Sequence, residues 1–137
     1  MKLSIINGSP RGESSNTEKL LESFIKGFTE TEGNRVEEYY LIKERPAFEK
    51  LKALFLEAEI LLIAFPLYID AMPGSVKEFF ESLEVMKGKR PDLRIMFMMQ
   101  NGFPETYHNR FVERYCAKLA KRLGCIYEGS ICKGGCE

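Results

Sequence analysis

The stretch of this sequence richest in chemistry runs Asn7-Gly8-Ser9-Pro10-Arg11-Gly12-Glu13-Ser14-Ser15-Asn16-Thr17. It lies between an apolar, strand-like segment and an amphipathic helical pattern, so it delivers the chain to a helix N-terminus. There the first backbone N–H groups have no intrahelical acceptor and the helix dipole is positive, which makes a site for a phosphate. Ser9, Ser15, Asn16 and Thr17 add side-chain donors, Arg11 adds a cationic fork, and the glycines allow close backbone approach to an anion. The same residues also fit an ordinary capped helix after a polar turn. Other phosphate chemistries lack their residues. There is no G-x-x-x-x-G-K-[ST] for a nucleoside triphosphate and no G-x-G-x-x-G for a dinucleotide. A phosphatase of the low-molecular-weight type needs a cysteine in this loop, and a response-regulator receiver needs an acidic pair where this chain has Asn7-Gly8.

Two later stretches complement the first. Phe65-Pro66-Leu67-Tyr68-Ile69-Asp70-Ala71-Met72-Pro73-Gly74 is unusually apolar for a strand-to-helix connection. Stiff and aromatic, it suits a wall against a flat heteroaromatic ring, although a subunit interface would use the same residues. Gln100-Asn101-Gly102-Phe103-Pro104-Glu105 places amides and a glycine where backbone N–H groups reach the carbonyls on such a ring's polar edge. A phosphate cradle, an apolar wall and a polar edge together describe FMN.

These loops need a scaffold, and the hydropathy pattern supplies one. Lys2 to Asn7 reads as a strand, and Ser15 or Asn16 caps a helix whose Leu20, Leu21, Phe24, Ile25 and Phe28 fall at helical spacing before Gly33 and Asn34 end it. Arg35 to Leu41 is a more polar strand suited to a sheet edge, followed by a helix from about Pro46 to Ala58. Ile60 to Phe65 and Ile95 to Met99 are continuously apolar, as parallel strands covered on both faces are. A short helix over Ser75 to Glu84 lies between them. A longer helix, about Tyr107 to Leu123, ends at Gly124, and Cys125 to Ile131 makes a fifth strand. Within that helix Tyr107, Phe111, Tyr115 and Leu119 form a stripe expected in the core or a subunit interface. The order βαβαβαβαβ implies an α/β domain over residues 1–137, a three-layer doubly wound parallel sheet of five strands. Ligands of such sheets bind beyond the carboxyl ends of the strands.

Composition narrows the classes further. Twenty Lys and Arg balance twenty Asp and Glu, so no net field draws the chain to nucleic-acid phosphates or anionic lipid. The longest apolar run, Ile60 to Ile69, is about half a bilayer span and is interrupted by Pro66. No leader pattern opens the chain, and a cytoplasmic location is expected. Cys116, Cys125, Cys132 and Cys136 match no metal or redox spacing and read as free thiols. His108, Asp70 and Glu105 flank the expected pocket without an assigned catalytic role.

Gly-Ser-Pro-Arg followed by Ser-Asn-Thr, then Pro-Leu-Tyr-Ile-Asp-Ala-Met-Pro-Gly, then Asn-Gly-Phe-Pro-Glu, each on its own strand-to-helix loop, resembles the NAD(P)H-dependent FMN reductase family of flavodoxin-like proteins. The resemblance covers essentially the whole chain and implies strand order 2-1-3-4-5. By it, Ser9, Arg11, Ser15, Asn16 and Thr17 hold the FMN phosphate, Pro66, Leu67, Tyr68 and Ile69 line the ribityl chain and ring, and Asn101, Gly102 and Phe103 meet the ring from the other side. It further implies hydride transfer from NAD(P)H through FMN to a small acceptor, with no catalytic side chain required. The family's cluster-bearing branch is set aside, because Ile42 to Phe48 holds no cysteine. The family ends in a fifth helix for which no sequence follows the fifth strand. Ile60 to Phe65 and Ile95 to Met99 are therefore expected to be partly bare unless a second copy of the chain covers them. A flavodoxin-like electron carrier, or a relative that has lost flavin and acts through protein interaction, are the alternatives. The neutral charge speaks against the carrier.

Overall fold

A computed structural model describes residues 1–44, 48–67, 72–100 and 110–133. Five strands, β1 (Lys2–Asn7), β2 (Arg35–Tyr40), β3 (Ile60–Pro66), β4 (Arg94–Gln100) and β5 (Ile126–Lys133), pair in parallel in the order β2-β1-β3-β4-β5. The helices are α1 (Asn16–Thr29), α2 (Glu49–Glu57), α3 (Gly74–Ser82) and α4 (Arg110–Arg122). Sheet order and parallel pairing are those expected from the sequence. Alternate residues of each central strand enter opposite cores, the reason the strands read as unbroken apolar runs. Leu61, Ile63, Phe65, Ile95, Phe97 and Met99 join α2, α3 and α4 in the larger core, while Leu3, Ile5, Ile60, Leu62, Ala64 and Met98 join Leu21 of α1 in the smaller.

Aromatic packing organises the larger core around Phe80. Its ring meets Phe65 at 5.9 Å and Phe97 at 6.0 Å edge-on, and stacks with Tyr115 at 6.2 Å between centroids. Such pairs add about 0.5–1.5 kcal/mol each beyond area burial. Phe80 thereby fastens α3 and α4 to the two strands whose carboxyl ends carry the expected ring loops.

Several expectations change in detail. The third helix starts at Gly74 and tightens into a 3-10 turn over Leu83–Met86. Pro46 lies outside the described residues, and α2 begins after Phe48, which adopts a left-handed backbone (φ 54°) while its buried ring meets Phe79 edge-on at 5.4 Å. Tyr107 is also outside the described residues; of the stripe, Leu119 is buried and Tyr115 packs against the core, while Phe111 is 80% exposed and is left to the interface alternative, and Val112, Cys116 and Ala120 complete the buried face of α4. A fourfold spacing drifts off the 3.6-residue turn, so only part of the stripe stays inward. β3 is buried throughout, contrary to the expected bareness, because α1 lays Leu20, Leu21, Phe24, Ile25 and Phe28 over its smaller-core face. Exposure falls instead on Ile126 and Ile131 of β5 and in part on Met96. Among the described residues no helix is long and apolar enough to cross a membrane.

Phe80→Ala should lower the stability by about 3–5 kcal/mol, because the cavity opens where the rings of Phe65, Phe79, Phe97 and Tyr115 converge. Urea denaturation followed by circular dichroism measures this. A loss below about 1 kcal/mol would show that the cluster repacks freely.

Candidate functional site

The carboxyl end of β1 is held by one side chain. Asn7, fully buried, accepts the N–H of Ser9 on Oδ1 at 2.9 Å, and its Nδ2 donates to Glu18 Oε2 at 2.8 Å and to Ser15 Oγ at 3.5 Å. The loop then folds on its own polar groups. Ser9 Oγ accepts the N–H of Arg11 at 3.2 Å, Gly12 N–H returns to Ser9 C=O at 3.0 Å, and a 3-10 turn over Gly12–Ser14 follows. Short side chains that bond neighbouring backbone favour such turns over helix or ladder. Gly12 needs its left-handed φ of 54°. Gly8 meets a packing limit: a Cβ there would lie 2.7 Å from Val76 Cγ2 of α3 and 3.2 Å from Ala64 C=O, which accepts the Gly8 N–H at 2.6 Å.

Ser15 is the N-cap of α1. Its Oγ accepts the Glu18 N–H at 3.0 Å and donates to Gly12 C=O at 2.6 Å, so this hydroxyl is committed to building the turn. Among the described residues the amides of Asn16 and Thr17 have no backbone acceptor, as expected of a first helical turn. Ser9 and Thr17 are buried, with hydroxyl protons that have no described acceptor; Asn16 is half-buried and Arg11 exposed. The structure thus gathers Ser9, Arg11, Ser15, Asn16 and Thr17 around one helix end. The chemistry of the set is donors without acceptors plus one guanidinium, which fits a phosphate dianion.

Across the sheet, Pro66 pairs in register with Gln100, and the Leu67 N–H donates to the Gln100 C=O at 2.8 Å. The starts of the second and third candidate loops therefore touch. Both Pro66 and Leu67 are buried. Gln100 turns its side chain toward α1, where Nε2 donates to Thr17 Oγ1 at 3.4 Å, while its buried Oε1 has no partner among the described residues. A buried acceptor left unpaired costs about 1–3 kcal/mol, so a ligand hydroxyl there is favoured. Tyr68, Ile69, Asp70, Asn101, Gly102, Phe103, Glu105 and His108 lie outside the described residues.

Sequence reasoning missed a carboxyl pair beside the cradle. Glu18 is 8% exposed; besides Asn7, it accepts the Tyr40 hydroxyl at 3.1 Å, and the Lys43 ammonium stands 4.8 Å over the Tyr40 ring. Glu38 of β2 sits on the same face. Burial, then the neighbouring Glu18 and more weakly Glu22, push its carboxyl up to about 8 against the Tyr40 hydroxyl, which acts the other way. Its Oε2 has no partner as a carboxylate, a deficit that a proton removes by making the group a donor. The proton that Glu38 keeps at neutral pH limits the negative charge beside the N-terminus of α1. A Ser-x-x-Glu spacing is the signal that could have found Glu18. Here its side chain turns inward to Asn7 rather than back to the cap, whose N–H goes to Gly12 C=O.

Glu38 ionises near the ordinary 4.5 when unfolded and near 8 when folded, so the folded chain holds more protons between these values. Its contribution is present below the lower value and is lost as the pH rises through the upper. Thermal denaturation should show Tm falling as pH rises from about 5 to about 9, with the slope reduced in Glu38→Gln. An unchanged slope in the variant would mean that Glu38 titrates normally.

The family model described as a flavodoxin-like fold matches residues 1–110. No curated protein sequence matches the chain. Among solved structures, the Trp repressor binding protein from Bacillus subtilis superposes with a TM-score of 0.79 at 20% identity, over 97% of this chain and 84% of that one. The NADPH-quinone reductase from P. pentosaceus gives 0.72 at 17%, over 98% and 86%. The general stress protein 14 from Treponema denticola, solved in complex with FMN, also gives 0.72 at 17%, over 98% and 86%. With the family model spanning well over half its length, the chain belongs to the flavodoxin-like fold family.

Proposed function

We propose that the protein binds FMN with its phosphate at the N-terminus of α1 and works as an FMN-dependent NAD(P)H oxidoreductase of the flavin or quinone reductase type. The observation that supports this reading is the donor set of the turn and first helical turn: the Asn16 and Thr17 amides and the Ser9 and Thr17 hydroxyls have no acceptor among the described residues, and Arg11 in the same turn is exposed. Ser15 shapes that set through its own two hydrogen bonds. The chemistry FMN supplies when bound is two-electron acceptance of hydride from a nicotinamide and reduction of a small acceptor. In this proposal Pro66, Leu67, Tyr68 and Ile69 form the apolar side of the pocket, and Asn101, Gly102 and Phe103 close the polar edge. The solved relatives named as an NADPH-quinone reductase and as an FMN complex support the assignment.

Purified protein incubated with FMN should retain a yellow flavin spectrum that bleaches anaerobically on addition of NADH or NADPH. Arg11→Ala should weaken FMN binding about ten- to a hundredfold, the loss of a charge-assisted contact. A protein that takes up no FMN overturns the proposal, and bleaching by dithionite alone replaces the enzyme with an electron carrier.

We also propose that a second copy of the chain covers the sheet face shared by β4 and β5. Ile131 pairs with Met98 and Ile126 with Arg94 on the face that α1 covers over β1 and β3, and these isoleucines are 40% and 46% exposed. Removing such surface from water favours association by about 25 cal/mol per Å². Sedimentation should find a dimer that Ile131→Lys dissociates; a wild-type monomer at micromolar concentration overturns it.

A further inference from the structure

We infer that Gln100 is a specificity-determining residue whose side-chain carbonyl oxygen accepts a hydroxyl of the flavin's ribityl chain, an inference that rests on the FMN reading above. Three buried side-chain oxygens lack a partner among the described residues: Ser4 Oγ, Glu38 Oε2 and Gln100 Oε1. Two do not point to a ligand at the carboxyl edge. Ser4 stands in the amino-terminal half of β1, away from that edge. Glu38 is answered by its own proton and Glu18. Gln100 is buried at the carboxyl edge itself, and a neutral amide carries no proton to gain.

Its place in the fold selects the ligand group. Gln100 ends β4, at the carboxyl edge of the sheet where ligands of doubly wound folds bind. The same amide donates to Thr17 Oγ1 at 3.4 Å and so lies against the phosphate cradle. Its backbone carbonyl accepts the Leu67 N–H at 2.8 Å, which joins it to the apolar wall. A group lying between phosphate and ring meets the part of FMN that links them, a chain of secondary hydroxyls. A hydroxyl donor satisfies Oε1, and Nε2 keeps Thr17 Oγ1 as an acceptor so that the Thr17 proton points to the phosphate. Exchanging O and N of the amide leaves one buried amide atom in need of the same chain, since a hydroxyl both donates and accepts.

The test separates this role from a brace for Thr17. Gln100→Met keeps length and volume and removes the acceptor. It should weaken FMN and riboflavin about tenfold, leave lumiflavin, which lacks the ribityl chain, and inorganic phosphate unchanged, and give an apo Tm equal to or above the wild type. Equal weakening of FMN and phosphate, a lowered apo Tm or unchanged FMN affinity each overturn the inference. On the unaltered protein, ribityl-deoxy FMN analogues provide a second measurement. Removal of one of the three secondary hydroxyls should cost about tenfold and the other two less. A flat series overturns the inference while leaving FMN binding intact, whereas a wild type that binds no FMN removes the reading beneath it as well.

Discussion

The site depends on a buried amide. Asn7 stands where β1 ends and the ladder stops, so the backbone groups that follow need partners from elsewhere. One side chain provides them, accepting from the Ser9 N–H and donating to Glu18 and Ser15. Because the loop is tied by hydrogen bonds of its own at Asn7, Ser9 and Ser15, its shape is set without an anion, and binding at its remaining free donors orders little new chain. Remove the Asn7 amide and three separate tethers, to the turn, the cap and the first helical turn, are lost together.

That construction brings an electrostatic problem. A carboxylate at the third residue of α1 is favourable to the helix dipole, yet it occupies the positive end that a phosphate also seeks. Glu18 is turned inward, held by Asn7 and by Tyr40 from the sheet edge, which leaves the free amides and hydroxyls of the helix end and the exposed Arg11 unopposed by its carboxyl. Glu38 keeps its proton to pH values near 8, so the second carboxyl adds no charge at neutral pH. Lys43, bonded to Glu13 at 2.8 Å and lying over Tyr40, supplies a cation at the rim. The loop after β2 thus packs beside a turn that in chain order belongs to β1.

Legibility from the sequence followed the range of the interactions. The five strands and the cap of α1 rest on local patterns, the unbroken runs of β3 and β4 could be read directly, and the strand order came from the resemblance of the three loops to a known family. The α1 cap at Ser15 and the donor set up to Thr17 were legible for the same reason. Phe111 was not, because a fourfold repeat cannot say which residue of a helix leaves the core. The Glu18 and Glu38 pair joins residues on different elements, and nothing in either neighbourhood announces that they share a face. Gln100 was legible as part of a loop but not as the partner of Thr17, 83 residues away in sequence.

Parallel register explains why those distant residues meet. Pairing of β1 with β3 sets Asn7 beside Ala64, and pairing of β3 with β4 sets Ala64 beside Met98 and Pro66 beside Gln100. Two residues beyond Met98 along a strand return to the same face, so Gln100 emerges on the side that α1 covers, at the level of the turn after Asn7. A shift of one residue between β3 and β4 would send the Gln100 amide into the aromatic core and a neighbouring apolar side chain toward Thr17. The apolar alternation that packs Ile95, Phe97 and Met99 against the larger core is thus also what points the next polar side chain, Gln100, at Thr17 of α1, and core packing and this polar contact are set by one register.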